Sequence, residues 1–208
     1  MRHWIPMLLL ACVLAVPAAA NAHQPDNAEL SSLYDADQQA RADRANIDWN
    51  RVAREDAERR ARVLALMREG AVRSAEDHFR AAMVFQHGST LAEYRIAHAL
   101  ATLASALDPD RVNYRWLIAA SWDRMMTAQL QPQWYGTQFH GSDTGMFLYP
   151  VAEDAVDDAE RARMGTPSLA EARANLARMA ASTGQPVRPD PPTIEALRRE
   201  RAAGAEAR

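Results

Sequence analysis

The chain has 208 residues, 48% of them hydrophobic and 25% charged, with a formal net charge of −3 at pH 7. That length carries one domain with its own core, and the mixture is that of an ordinary globular protein. All 24 basic residues are arginine, but the acidic balance argues against a nucleic-acid partner.

Alanine dominates the apolar residues and aromatics make up 7%, a composition that favours helices over sheets. At the N-terminus, Arg2 and His3 precede an apolar run from Trp4 to Val16, then Pro17 and the small-residue stretch ending Ala20-Asn21-Ala22. These are the three parts of a secretory signal peptide over residues 1–22, with cleavage after Ala22 and a periplasmic or secreted product. The alternative is a lipoprotein signal, since Leu9-Leu10-Ala11-Cys12 has the form of a lipobox. The apolar core is shorter than the roughly 20 residues that span a bilayer, so no transmembrane segment is expected after cleavage. Processing would remove the sole cysteine, leaving neither a disulfide nor thiol chemistry.

A single helical domain is expected over residues 28–184. Its first helix starts near Ala28 and runs past Asp37 and Arg41, spaced i, i+4 as an exposed ion pair. The second, about Asp48 to Glu69, carries Glu55–Arg59, Asp56–Arg60 and Glu58–Arg62 at the same spacing beside a thin apolar stripe. It reads as a solvent-exposed helix packed on one side, with Gly70 as its C-cap. Ser74 and Asp77 form an acidic capping box for a helix reaching His87. Ser89 or Thr90 caps the next, Leu91 to Leu107, with one stripe of Ile96, Leu100, Leu103 and Leu107 and another of Leu91, Tyr94, His98 and Ala101. Asp108-Pro109 then starts a central helix, about Asp110 to Gln129, apolar nearly all round and so expected to be surrounded by protein.

After Pro132 the spacing of Gly136, Gly141 and Gly145 among aromatic and β-branched residues predicts a short β-hairpin within 136–151. Helices resume over about Asp154 to Met164 and, with Thr166 as cap and Pro167 in the first turn, from Pro167 to Ala181. From Gln185 four prolines and an Arg/Glu/Ala-rich end predict an extended or disordered tail over 185–208, with a marginal helix near Thr193–Ala203. The fold class is therefore all-α, a multi-helix orthogonal or antiparallel bundle with a short β-hairpin inserted after the central helix.

The polar residues in apolar or turn contexts are Gln86, His87, His98, Asp123, Arg124, Tyr135, Thr137 and Gln138, and these form the candidate ligand-binding set. Three chemistries could use them. A His–Asp pair could serve as a general base, and two His with one Asp could hold a divalent metal. Arg124 with backbone amides around Gly136 could hold a carboxylate or phosphate. The chain contains no H-E-x-x-H, G-x-S-x-G or P-loop signature, so neither a metal nor a cofactor is expected. Each residue also has a plain structural use: His98 as a core histidine, His87 at a helix C-terminus, Asp123 and Gln138 as bonds to loop backbone.

Four segments occur in order: Ala81-Ala82-Met83-Val84-Phe85-Gln86-His87-Gly88, Ala97-His98, Trp116-Leu117-x-Ala119-Ala120-x-x-Asp123-Arg124, and Gln133-x-Tyr135-Gly136-Thr137-Gln138-Phe139. Over about residues 74–170 the chain resembles the bacterial family called domain of unknown function 6624. The resemblance implies a mostly helical domain and no particular activity. The reading is an exported, non-catalytic domain binding a small ligand or a protein partner near His87, Asp123 and Tyr135–Gln138. The alternative is a hydrolase-like enzyme pairing His87 or His98 with Asp123, with or without the assistance of a metal.

Overall fold

A computed structural model describes residues 25–43 and 46–206. The expected signal peptide and its Cys12 lie outside the described residues. The described chain folds as α1 (Ala28–Gln39), α2 (Trp49–Arg68), α3 (Ala75–Gln86), α4 (Leu91–Leu107), α5 (Val112–Ala128), β1 (Phe139–His140), β2 (Phe147–Leu148), α6 (Asp158–Arg163), α7 (Leu169–Ser182) and α8 (Ile194–Glu206). It is a mostly helical bundle with one short antiparallel hairpin after the central helix, Phe139 opposite Leu148 and His140 opposite Phe147. No described helix is long and apolar enough to cross a membrane.

The main core lies among α1 to α5 and centres on α4, which packs on α3 along one side and on α5 along the other. Its buried stripe is Ala97, Leu100, Ala101 and Ala104, at helical spacing, which takes Leu100 from one expected stripe and Ala101 from the other; Leu103 and Leu107 are exposed. Two flanking helices can approach one helix closely only where its side chains are small, so the alanines face them. Phe79, Phe85, Tyr114 and Leu117 fill the space between. Burying each large side chain contributes about 1.5–3 kcal/mol.

Caps set most boundaries. Asn27, Asp48, Ser74 and Thr90 each accept a backbone N–H at the start of their helix, the last two as full capping boxes with Asp77 and Glu93. Gly70 follows α2 with φ +66°, as its place after the helix requires. Two starts differ from expectation. Asp108 closes α4, its N–H bonded to the Ala104 carbonyl, so α5 begins at Val112 after Arg111 and has no side-chain cap. Ser168 rather than Thr166 caps α7, because it forms a reciprocal box with Glu171 while the Thr166 hydroxyl is committed to the Arg161 carbonyl.

The charged face of α2 is more than a solvated surface. Glu55–Arg59 forms as expected, but Arg60 crosses to Glu93 of α4 at 2.6 Å and Arg62 to Glu29 of α1 at 2.5 Å. Asp56 sits between Arg41 and Arg59. The Asp37–Arg41 pair exists, but Asp37 is fully buried, where an exposed pair was expected. These bonds join elements distant in sequence, so i, i+4 spacing alone misassigns their partners.

The segment after Gln185, for which an extended or disordered tail with a marginal helix was expected, runs as an extended strap and then as α8, both bonded to the rest of the chain. The Met146 N–H donates to the Pro186 carbonyl at 2.7 Å and the Arg188 N–H to the Met146 carbonyl at 2.8 Å, forming a strap beside the hairpin. Prolines lack an N–H, yet an extended strap bonded through so few groups can hold several of them. α8 then lays Ile194 against Phe147 and Tyr149, and Arg198 and Arg201 donate to the carbonyls of Leu130 and Ala128 beyond and at the end of α5.

Candidate functional site

α5 carries Asp123 and Arg124 side by side, and on a helix adjacent side chains point about 100° apart. They serve two different places. The Asp123 carboxylate is fully buried and accepts four hydrogen bonds from the loop after the helix. Oδ1 takes the N–H groups of Trp134 (2.8 Å) and Tyr135 (3.0 Å); Oδ2 takes the N–H (3.0 Å) and hydroxyl (2.8 Å) of Thr137. Four donors use the acceptor sites a carboxylate possesses. Burial raises its pKa above the ordinary aspartate value, while those donors pull the other way. Gly136, with φ +77°, gives the turn the left-handed step that aims three successive segments of backbone at one side chain.

Gln133 completes the clamp. Fully buried, it donates through Nε2 to the carbonyls of Gln138 and Tyr149 and accepts the Gln138 N–H on Oε1 at 2.8 Å. Loop and hairpin are thereby tied to each other and to the central helix. Tyr135 contributes its ring to a small core with Ala119 and Met164, its hydroxyl reaching Glu160 at 3.5 Å.

Arg124 points the other way. Its Nε donates to Gln138 Oε1 at 3.2 Å and its guanidinium lies over the Tyr94 ring, 5.6 Å from the centroid. Among the described residues it has no carboxylate partner, and Gln138 and Tyr94 are the neighbours that hold it. Burial lowers its pKa and the nearby Tyr94 hydroxyl opposes that, but a guanidinium remains a cation. Gln138 bridges the two places: its Nε2 donates to Thr137 Oγ1 and the Ala120 carbonyl, and its Oε1 faces Arg124.

Arg124 and Gln138 line a cleft of about 660 Å³ between the start of α4, the end of α5, the hairpin and α8. Thr90, Tyr94, His140 and Arg201 also line it, with Leu91 and Phe139 supplying apolar wall. Burial, and then the neighbouring Arg124 charge, lower the His140 pKa, which favours a neutral imidazole.

The histidines proposed from sequence sit elsewhere. His87 closes α3 and bonds through Nδ1 to Oδ2 of the buried Asp37 at 2.8 Å, not to Asp123. His98 places Nδ1 at 3.2 Å from both the Ile118 carbonyl and Ser121 Oγ, beside the Trp122 ring at 5.8 Å. Since a carbonyl must accept, Nδ1 carries the proton. Gln86 is buried with its amide oxygen unpaired. His87, His98 and Asp123, the trio that would serve a metal, thus each hold other partners. Among the described residues no three His, Cys, Asp or Glu side chains gather as a metal-holding group.

Sequence reasoning named two of the cleft's polar residues, Arg124 and Gln138, and missed Thr90, Tyr94, His140 and Arg201. Thr90 was read as a cap, which it is, and Tyr94 as part of an apolar stripe of α4, where it is half-buried at the cleft. Arg201 carried no signal, because its segment was read as tail. No family model matches the chain, and neither a curated protein nor a solved structure matches it.

Proposed function

We propose that the protein is an exported, non-catalytic domain that binds a small ligand in the cleft between α4, α5, the hairpin and α8. One observation carries the reading. The cleft gathers polar groups from four separate elements around Arg124, a cation with no acid partner among the described residues, whereas Asp123 is spent on loop backbone. A cavity of this size with a few convergent polar groups is the usual form of a small-molecule site. Export rests on the n-region, h-region and Ala20-Asn21-Ala22 pattern of the sequence. The same pattern makes an N-terminus at His23 the expected outcome of mass spectrometry on the periplasmic or secreted protein, and a lipidated Cys12 would instead support the lipoprotein route.

The test is a thermal-shift screen of small metabolites on the full chain, repeated with Ala128→Trp, which fills the cleft wall. At least one compound should raise the Tm of the native protein and lose that effect in the variant. If Ala128→Trp keeps every shift, the ligand seat lies elsewhere.

A hydrolase-like reading has one observation in its favour, the 2.8 Å His87–Asp37 contact with the imidazole partly exposed. It predicts turnover of simple nitrophenyl esters or phosphates that His87→Ala abolishes. Equal rates for the native protein, the variant and buffer would remove it.

A further inference from the structure

The chemistry of the cleft wall narrows the ligand further, and the step rests on the cleft being the ligand seat. Of the charged side chains that line it, Arg124 and Arg201 are both cations, and no carboxylate is among the lining residues. The nearest acid on α4 is already neutralised: Glu93 holds Arg60 at 2.6 Å and caps its own helix through Thr90. Asp123 turns its oxygens to the loop on another side of α5. The start of α4 borders the same space, so the positive end of a 17-residue helix adds to the field.

A guanidinium held at Nε by Gln138 and beside Tyr94, with no carboxylate partner, keeps an Nη edge with donors to spare for a ligand. That edge is a planar fork of N–H donors, matched to two oxygens of a carboxylate or phosphate. A half-buried arginine fixed in place without an acid lacks a charge partner, and an incoming anion supplies one. Tyr94, Leu91 and Phe139 offer room and apolar surface for more than a bare ion. We infer that the cleft binds a small organic anion, its carboxylate or phosphate group on Arg124 and Arg201 and its body against Tyr94 and Phe139.

The experiment uses four probes that share a ring and differ in head group: benzoate, phenyl phosphate, benzyl alcohol and benzylamine. Each is titrated calorimetrically into the full chain, into Arg124→Gln, Arg201→Gln and Ala128→Trp, with each variant's fold checked by circular dichroism. Benzoate, phenyl phosphate or both should bind at least about tenfold more tightly than the alcohol and amine. Which of the two binds better identifies the head group. Arg124→Gln should weaken the anion by about tenfold or more, and Arg201→Gln by several-fold, since a charge-assisted pair is lost in each. If Arg124→Gln fails to fold, the exposed Arg201→Gln carries the test by itself.

The inference is overturned if neither anion binds at millimolar concentration, or if both arginine variants bind the anions like the native chain. Benzyl alcohol binding as tightly as benzoate, with both lost in Ala128→Trp, would leave the cleft as a ligand seat and discard the anion. Benzoate binding that survives Ala128→Trp would discard the cleft itself.

Discussion

Asp123 and Arg124 are neighbours in sequence with opposite fates, and the difference is countable in hydrogen bonds. Asp123 satisfies three backbone N–H groups and a hydroxyl that would otherwise be buried without partners. Asp123→Asn would turn an NH₂ group toward donors and leave at least one pair facing each other, at about 1–3 kcal/mol for each orphaned group. The variant should fold with a clearly lower urea midpoint, and an unchanged midpoint would show that the carboxylate does not hold the loop. His98 makes a prediction in pH. Burial is the larger influence and lowers its pKa from the ordinary value, with the Ile118 carbonyl acting in opposition. The folded state therefore prefers the neutral ring, and the unfolded chain takes up a proton first, near the ordinary pKa of about 6.5. Stability from this group is fully present above that pH and is lost as pH falls below it. The urea midpoint should drop between neutral and mildly acidic pH, more steeply in the native protein than in His98→Gln; equal slopes would contradict the assignment. His140, lowered in the same direction, supplies part of the slope that remains.

At the scale of elements, local chemistry was legible wherever it was self-contained. The Ser74–Asp77 box, the Thr90 cap and the Gly70 exit depend on residues within one turn of each other, and the chain displays them openly. Asp108-Pro109 shows the limit of such reading. The pair has the form of a cap followed by a first-turn proline, but the α4 carbonyl of Ala104 claims the Asp108 N–H, and the next helix starts later. Proline-rich composition left the choice between an extended and a disordered segment open, because it reports which bonds a segment cannot make and says nothing of a neighbour that needs few. Gly145 records the neighbour. With φ +117°, it passes so close to the strap that a Cβ would stand 2.5 Å from the Pro186 carbonyl oxygen. The obstacle is a backbone atom and cannot swing aside as a side chain would, so Gly145→Ala should push the strap away and cost about 1–3 kcal/mol. Protease susceptibility between Gln185 and Pro192 should rise with it. A variant as resistant as the native chain would mean that the strap does not depend on this contact.

Across the whole molecule, two packed regions share α5 and differ in what specifies them. The α1–α5 core is written in the sequence as apolar periodicity, and fold class followed from it even where the choice between an alanine and a leucine stripe did not. The second region is assembled from pieces that need one another: the Asp123-held loop, the hairpin, the strap and α8. No one of them carries a period or a motif that announces its partner, which is why the cleft between them was half hidden. Arg124 was visible because an arginine in an apolar helix is conspicuous; Arg201, one of many in a charged end, was not. This asymmetry has a consequence for stability. Elements joined through few apolar contacts open at lower free energy than a contiguous core. Ending the chain at Gln185 removes Ile194 from Phe147 and Tyr149 and takes the Arg198 and Arg201 donors from the carbonyls of Leu130 and Ala128. Amide exchange should then accelerate at Phe147, Tyr149 and the last turn of α5, while α3 and the middle of α4 keep native protection. Uniform acceleration through α3 and α4 would instead mean that the molecule unfolds as one unit and that α8 stabilises all of it.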